Sequence, residues 1–302
     1  MSISASMVRD LREKTSAGML DCKKALEESN GNFEAAVEWL RKKGLSAAAK
    51  KSDRLASEGV VVAKVDGKSG ALLEVNSETD FVAKNEDFKL FVAEAVQTVV
   101  AKNPADVESL VLAPTKSGST VGEALKEKIA KIGENLVIRR FVRYETSGLV
   151  HTYIHGDGKI GVMVELSSTS GHEAVKTFAN DICLHVAAMN PLALSPEQVP
   201  AEIVAKEKEI LKAKAIEQGK KPEMLDKIVG GQINKFLAES CLMEQAFVKN
   251  PDLKVKDYLA ETVKKSGDNF TLKRFVRFEL GEGLQKRSTD FAAEVAAQAK
   301  GH

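Results

Sequence analysis

The chain has 302 residues, of which 43% are hydrophobic and 29% charged, with a formal net charge of +1. That length is too great for one small core and points to two or three domains of ordinary globular composition. Near-neutrality excludes a global field that recruits nucleic acid, and the 12 Phe, 3 Tyr and 1 Trp form no stacking array for single strands.

At the amino terminus, Met1-Ser2-Ile3-Ser4-Ala5-Ser6 lacks a basic region followed by an apolar run, so no signal peptide is read. No apolar run reaches the length of about 18 residues that a membrane span needs. Cys22, Cys183 and Cys241 are odd in number, far apart and without a C-x-x-C, so each is expected to be a small buried hydrophobe in a reducing compartment. A cytoplasmic location follows as the expectation.

Residues 1–45 read as a three-helix bundle. Met7, Val8 and Leu11, then Leu20, Ala25 and Leu26, recur at helical spacing, and Asn30-Gly31-Asn32 interrupts them. Phe33, Ala36, Val37 and Leu40 give the third stripe, closed by Gly44. Residues 46–57, rich in Ala, Ser and Lys, read as a helical or flexible linker. The nearby cluster Arg41-Lys42-Lys43 and Lys50-Lys51 reads as a solvated face.

An internal repeat follows. Gly59–Val75 and Gly148–Leu166 each read as a β-hairpin, with a Gly-containing turn between apolar strands. A helix follows each hairpin, ending at Asn103-Pro104 and at Asn190-Pro191. Each copy then closes with a helix and a third strand: Val121–Lys131 with Asn135–Glu145, and Val255–Lys265 with Asn269–Glu279. The second copy is longer, and its extra residues fall within 192–240. There Ile203-Val204, Ile210-Leu211 and Ile216 recur at roughly seven-residue spacing. After the turn at Gly219-Lys220-Lys221-Pro222 come Leu225, Ile228-Val229, Ile233 and Phe236-Leu237. The pattern predicts an antiparallel coiled-coil hairpin.

The fold class is therefore α+β, with two related α/β core subdomains built on antiparallel three-stranded sheets. The core subdomains are placed at 58–146 and at 147–191 with 241–280, the hairpin insertion at 192–240 and a carboxy-terminal helical part at 281–302. In that last part Phe291, Val295 and Ala299 form an apolar stripe on an expected carboxy-terminal helix.

Motifs for covalent chemistry do not stand out. There is no G-x-x-x-x-G-K-[ST], so nucleotide binding by a P-loop is not expected, and no G-x-G-x-x-G opens a helix. His151, His155, His172, His185 and His302 lack partners at metal-ligand spacing, so no metal is expected. No G-x-S-x-G or Cys/His arrangement marks a nucleophile, and no catalytic residue is assigned.

The distinctive stretch is Glu74-Val75-Asn76-Ser77-Glu78-Thr79-Asp80-Phe81-Val82-Ala83-Lys84, where an apolar strand runs into a polar turn and then an aromatic residue. Read as isolated residues, Thr79 or Asp80 caps a helix and Phe81 packs into the core. The whole stretch resembles the central signature of the bacterial translation elongation factor Ts family, with Thr79-Asp80-Phe81-Val82 intact. Leu11-Arg12-Glu13-Lys14-Thr15-Ser16-Ala17-Gly18-Met19-Leu20-Asp21-Cys22-Lys23-Lys24-Ala25-Leu26 resembles the amino-terminal signature of the same family. The resemblance extends from residue 1 to about residue 297.

That resemblance implies a guanine nucleotide exchange factor for elongation factor Tu, acting without covalent chemistry, with no cofactor and no direct nucleotide binding of its own. It implies a ubiquitin-associated-type amino-terminal module, two core halves, a protruding coiled coil and a helical tail. Asp80 and Phe81 would be the intruding pair near the GTPase's Mg²⁺ and phosphate sites. Arg12, Met19, Leu20 and Lys23 would be the module's contacts, and His155 and Val248 match second-half contact positions. Leu20 stands where a second Met is common, Asn180 and Asp181 where some members have Lys and His, and Gln298 where some have an apolar residue.

Two other readings stay open on sequence. One is a scaffold that recruits partners through the small helical module. The other is an RNA-binding protein using Arg139-Arg140, Arg143, Lys273-Arg274 and Arg277, although no direct contact with nucleic acid or membrane is expected. A dimer through the core or the hairpin also stays open.

Overall fold

The computed structural model describes residues 3–15 and 17–285, and its mixture of helices and small antiparallel sheets is the α+β class expected from the sequence. Helices α1 (Ala5–Thr15), α2 (Met19–Glu28) and α3 (Phe33–Ala49) come first. The turn between α2 and α3 passes through Asn30 and Gly31 at φ 50° and 81°, left-handed values that these two residues tolerate best. Val8, Leu11, Cys22, Ala25, Leu26 and Ala36 close a small core.

Strands β1 (Glu58–Asp66) and β2 (Ser69–Ser77) form the first hairpin, turning at Gly67 with φ 58°. Helix α4 (Glu86–Lys102) starts at Asn85, whose side chain accepts a hydrogen bond from the Phe88 amide, and stops at Asn103 with φ 49°. Its Phe88, Phe91, Val92, Ala95, Val96 and Val99 recur at helical spacing and are buried with Leu73 and Val75 of β2. A short helix, α5 (Val107–Leu112), was not foreseen. Helix α6 (Val121–Ile132) opens with a capping box between Thr120 and Glu123 and ends at Gly133, φ 88°, before β3 (Leu136–Glu145).

Gly44 does not end α3 as the sequence suggests. A Cβ at that position would stand 3.3 Å from the Ala130 Cβ, so the glycine lets α3 approach α6 closely and continue to Ala49. Arg41 pairs with Glu123, and the Lys51 ammonium donates to the Ile129 carbonyl at 3.4 Å.

The second copy repeats the plan. Strands β4 (Leu149–His155) and β5 (Ile160–Leu166) precede α7 (Glu173–Met189), which stops at Asn190 with φ 44°. The insertion is a helical hairpin of α8 (Ala201–Glu217) and α9 (Pro222–Ser240). Its seam keeps Leu211 of the expected stripe, and Leu225, Val229 and Ile233 on α9, but it takes Ala215 in place of Ile216 and leaves Ile210 and Ile216 exposed. Val204 and Leu211, seven residues apart, and Ala215, four further on, set the α8 face. An unforeseen hairpin of β6 (Ala246–Phe247) and β7 (Asn250–Lys254) leads into α10 (Val255–Ser266) and β8 (Leu272–Glu279).

The sheets are ordered β1-β2-β3 and β4-β5-β8, all pairs antiparallel. Register shifts after Glu74 in the first and after Glu165 in the second mark the same place in each repeat. The sheets pack against each other through Val61, Leu72, Tyr144, Val150, Met163 and Phe278. Burying side chains the size of Leu72 and Met163 contributes about 1.5–3 kcal/mol each.

The contact between the sheets is reciprocal. Arg140 of β3 stacks on the Phe278 ring of β8 at 4.2 Å, and Arg274 of β8 stacks on the Tyr144 ring of β3 at 3.9 Å. Each arginine is also tied to a buried glutamate of its own sheet. Arg140 Nε donates to Glu74 at 2.6 Å and Arg274 Nε to Glu165 at 2.5 Å. Burial disfavours the charged Glu74 carboxylate, but hydrogen bonds from the Gly281 amide, Arg139 and Arg140 outweigh it and hold the carboxyl below its ordinary value.

The three cysteines are buried thiols, and burial pushes the Cys183 thiol well up. Among the described residues no helix is long and apolar enough to cross a membrane. The expected carboxy-terminal helix, with Phe291, Val295, Gln298 and Ala299, lies outside the described residues.

Candidate functional site

Strand β2 ends at Ser77, and the chain turns there into a single turn of 3₁₀ helix at Val82–Lys84. The residue that caps α4 is Asn85, so neither Thr79 nor Asp80 is needed as its cap. The expectation from isolated residues that Phe81 packs inward is overturned: Phe81 is 77% exposed, while Val82 beside it is buried. Val82 anchors the corner in the core with α4, and Phe81 projects outward. Asp80 is exposed and, among the described residues, has no ion-pair partner.

The backbone of this corner is fixed from a distance. The Glu134 carboxylate accepts from the Thr79 amide at 3.0 Å and from the Thr79 hydroxyl at 2.7 Å. In return the Asn135 amide donates to Glu78 at 2.7 Å. The Ser77 hydroxyl donates to the Thr79 carbonyl at 2.8 Å. These bonds satisfy the polar groups of a turn that has no helix or sheet ladder of its own. Nothing in the local pattern around residues 77–82 signals them, because both partners come from the α6–β3 loop.

The amino-terminal candidates lie on the first two helices. Arg12 lies on α1, and Met19, Leu20 and Lys23 occupy the start of α2; all four are exposed. Arg12 and Met19 line a shallow concavity with Arg9, Glu13 and Lys131 of α6. Lys23 pairs loosely with Glu27 at 3.8 Å. Leu20, at 83%, and Phe81 are the two most exposed large apolar side chains among the described residues.

The second-half candidates sit on separate elements. His155 is exposed at the end of β4, with Nδ1 2.9 Å from the Tyr153 hydroxyl. Val248 is at the tip of the β6–β7 hairpin, and its amide donates to Nδ1 of buried His185 at 3.1 Å. Because Nδ1 accepts, Nε2 carries the proton and donates to the Gln245 side chain at 2.9 Å. Burial lowers the His185 pKa, more than the Gln245 bond raises it, and keeps the ring neutral. At Asp181, the carboxylate accepts from the Tyr258 hydroxyl at 2.9 Å and from the Lys249 ammonium at 2.7 Å, which ties the same hairpin to α7.

The basic residues that suggested RNA are engaged within the chain. Arg139 and Arg140 pair with Glu74, Lys273 and Arg274 with Glu165, Arg143 with Glu145 and Arg277 with Glu279. Among the described residues no group of three or more His, Cys, Asp or Glu side chains is arranged to hold a metal ion.

Comparison with known proteins bears on this surface. A family model described as Elongation factor TS matches residues 78–282, from the corner to the end of the second core half. The protein named Elongation factor Ts from Bdellovibrio bacteriovorus is 56% identical over 311 residues, with 100% of both chains covered. Its namesake from Syntrophotalea carbinolica is 53% identical, covering 99% of this chain and 100% of the relative. The one from Clostridioides difficile is 49% identical, covering 99% of each.

Proposed function

The chain belongs to the elongation factor Ts family, and we propose that it binds elongation factor Tu in its GDP form and promotes GDP release by inserting the Asp80-Phe81 corner near the Mg²⁺ and phosphate sites. The observation that carries this reading is Phe81 itself. A large aromatic side chain stands in solvent on a turn whose backbone is hydrogen-bonded on both sides. Leaving it there gains nothing for the isolated chain, and burying it against a partner recovers the hydrophobic term.

The thermodynamics are those of linked binding. If the factor weakens GDP binding by some ratio, GDP weakens the factor's binding by the same ratio. Each ~1.4 kcal/mol of corner binding energy spent on distorting the phosphate site corresponds to about a tenfold change in nucleotide affinity. The factor therefore prefers the nucleotide-free GTPase, and GTP in excess completes the exchange. No bond is made or broken, and the reading assigns no catalytic residue, metal or cofactor to this chain.

In this reading Thr79, Asp80, Phe81 and Val82 form the release motif. Arg12, Met19, Leu20 and Lys23 grip the nucleotide domain of the GTPase, and His155 and Val248 contact its third domain. The division into a ubiquitin-associated-type module at 1–45, a linker, two core halves, a coiled-coil insertion and a carboxy-terminal part belongs to the same proposal, as does a cytoplasmic location. Release of fluorescent GDP from purified elongation factor Tu, with this chain in substoichiometric amount, tests the reading. Accelerated release with turnover is expected, and no acceleration by the folded chain would contradict it.

A further inference from the structure

The loop between α6 and β3 lies where three parts of the chain meet. Glu134 holds Thr79 by two hydrogen bonds, and the Asn135 amide holds Glu78. The buried Asn135 side chain turns the other way, and its Nδ2 donates to the carbonyls of Ser52 at 3.3 Å and Arg54 at 2.8 Å, in the segment that follows α3. Arg54 closes the circuit by approaching Glu78 at 3.4 Å. The helix that leads into this loop, α6, is the one on which α3 docks through Gly44, Arg41 and Lys51.

We propose that Glu134 and Asn135 are positioning residues for nucleotide release, locking the Phe81 corner and the amino-terminal module into one rigid tool. The proposal rests on the exchange-factor reading. An inserted side chain distorts its target only if its own backbone does not yield first; otherwise the binding energy goes into moving the turn. Residues 78–81 belong to no helix or sheet ladder, so beyond the local bonds to the Thr79 carbonyl from Ser77 and to the Phe81 carbonyl from the Lys84 amide, their stiffness comes from the bonds that Glu134 and Asn135 make to Thr79 and Glu78. Glu134 accepts two of them and so fixes both the backbone and the χ1 of Thr79. Asn135 fixes the same corner to the segment that carries the module. Neither residue needs to touch the partner.

The test measures three quantities for wild type, Glu134→Ala, Glu134→Gln and Asn135→Ala. They are the maximal rate of fluorescent GDP release at saturating factor, the affinity for nucleotide-free elongation factor Tu, and the thermal midpoint of the full chain. Glu134→Ala is expected to slow maximal release about tenfold, while changing affinity by less than about twofold. Glu134→Gln, which keeps one acceptor oxygen and the side-chain shape, is expected to recover part of the rate. It also serves as the readout where Glu134→Ala does not fold.

The decisive comparison repeats Glu134→Ala, or Glu134→Gln where the alanine variant does not fold, in a Phe81→Ala background. A residue that acts through Phe81 causes no further loss there, whereas a merely structural residue causes the same loss in both backgrounds. Wild-type release rates in the Glu134 variants, or equal losses in both backgrounds, would overturn the proposal. Failure of the wild-type chain itself to accelerate release would instead sink the exchange-factor reading on which the proposal rests.

Discussion

Thr79 and Glu134 are 55 residues apart in sequence and joined by two hydrogen bonds, one to the Thr79 amide at 3.0 Å and one to its hydroxyl at 2.7 Å. The pair binds the exit of β2 to the exit of α6. It explains why a turn without regular secondary structure can hold Phe81 out in solvent while Val82 is buried. The corner is stiff because its polar groups are used, and Phe81 is free because, among the described residues, no neighbour covers it.

The contact between the two sheets depends on glycine at equivalent places in each repeat. A Cβ at Gly70 would meet Val150 Cγ1 at 2.5 Å, and a Cβ at Gly161 would meet Val61 Cγ1 at 2.5 Å. Valine is stiff at χ1, so neither neighbour swings away cheaply. Gly161→Ala should destabilise the chain by about 1–3 kcal/mol, read as a shift in urea midpoint at constant m-value. A neutral effect would mean that the sheets separate more readily than their packing implies.

His185 makes the second core half sensitive to acid. Its pKa is lowered from the ordinary value of 6.5, mainly by burial, so the folded chain takes up its proton at lower pH than the unfolded chain does. The stability this residue supports is complete above pH 6.5 and is lost as the pH falls from there through the folded-state pKa. The slope from this one group is at most about 1.4 kcal/mol per pH unit. His151 is shifted in the same direction, also mainly by burial, and adds to the trend. Protonated His185 would turn an N–H toward the Val248 amide, so the protection factor of that amide, its exchange relative to an unstructured amide at the same pH, should fall as the pH is lowered below 6.5. His185→Gln should flatten the dependence of stability on pH over that range, and an unchanged slope would refute the assignment.

Leu20 tests the module separately from the corner. It is 83% exposed, so Leu20→Ala should leave the unfolding free energy of the free chain within about 0.5 kcal/mol of wild type. If the module grips elongation factor Tu through this residue, the same substitution should weaken association by about 1–2 kcal/mol, measured by calorimetry with the nucleotide-free GTPase. Unchanged affinity would remove Leu20 from the interface.

Much of the fold is legible in the sequence because its signals are local. The turns at Gly67 and at Gly156-Asp157-Gly158, the left-handed Asn103 and Asn190 before proline, and the apolar stripe of α4 each announce themselves within a few residues. What local pattern misses is settled by distant partners. Gly44 looks like a stop until Ala130 is beside it. The α8 stripe can be read through Ile210 or Leu211, and only the packing of α9 selects Leu211. The β6–β7 hairpin that carries Val248 is too short to show a period. At the corner, residue chemistry alone puts Phe81 inside, and the family resemblance alone puts it outside. The bracing by Glu134 and Asn135 has no signal near residues 77–82.

The most direct measurement compares Phe81→Ala with wild type for GDP release from elongation factor Tu and, in parallel, for thermal midpoint and affinity for the nucleotide-free GTPase. Because Phe81 is exposed and Val82 supplies the anchor, the variant should fold and melt as wild type, bind with a modest loss, and release GDP at least about tenfold more slowly at saturation. Release at the wild-type rate, or a melting point lowered as by a core truncation, would contradict the wedge.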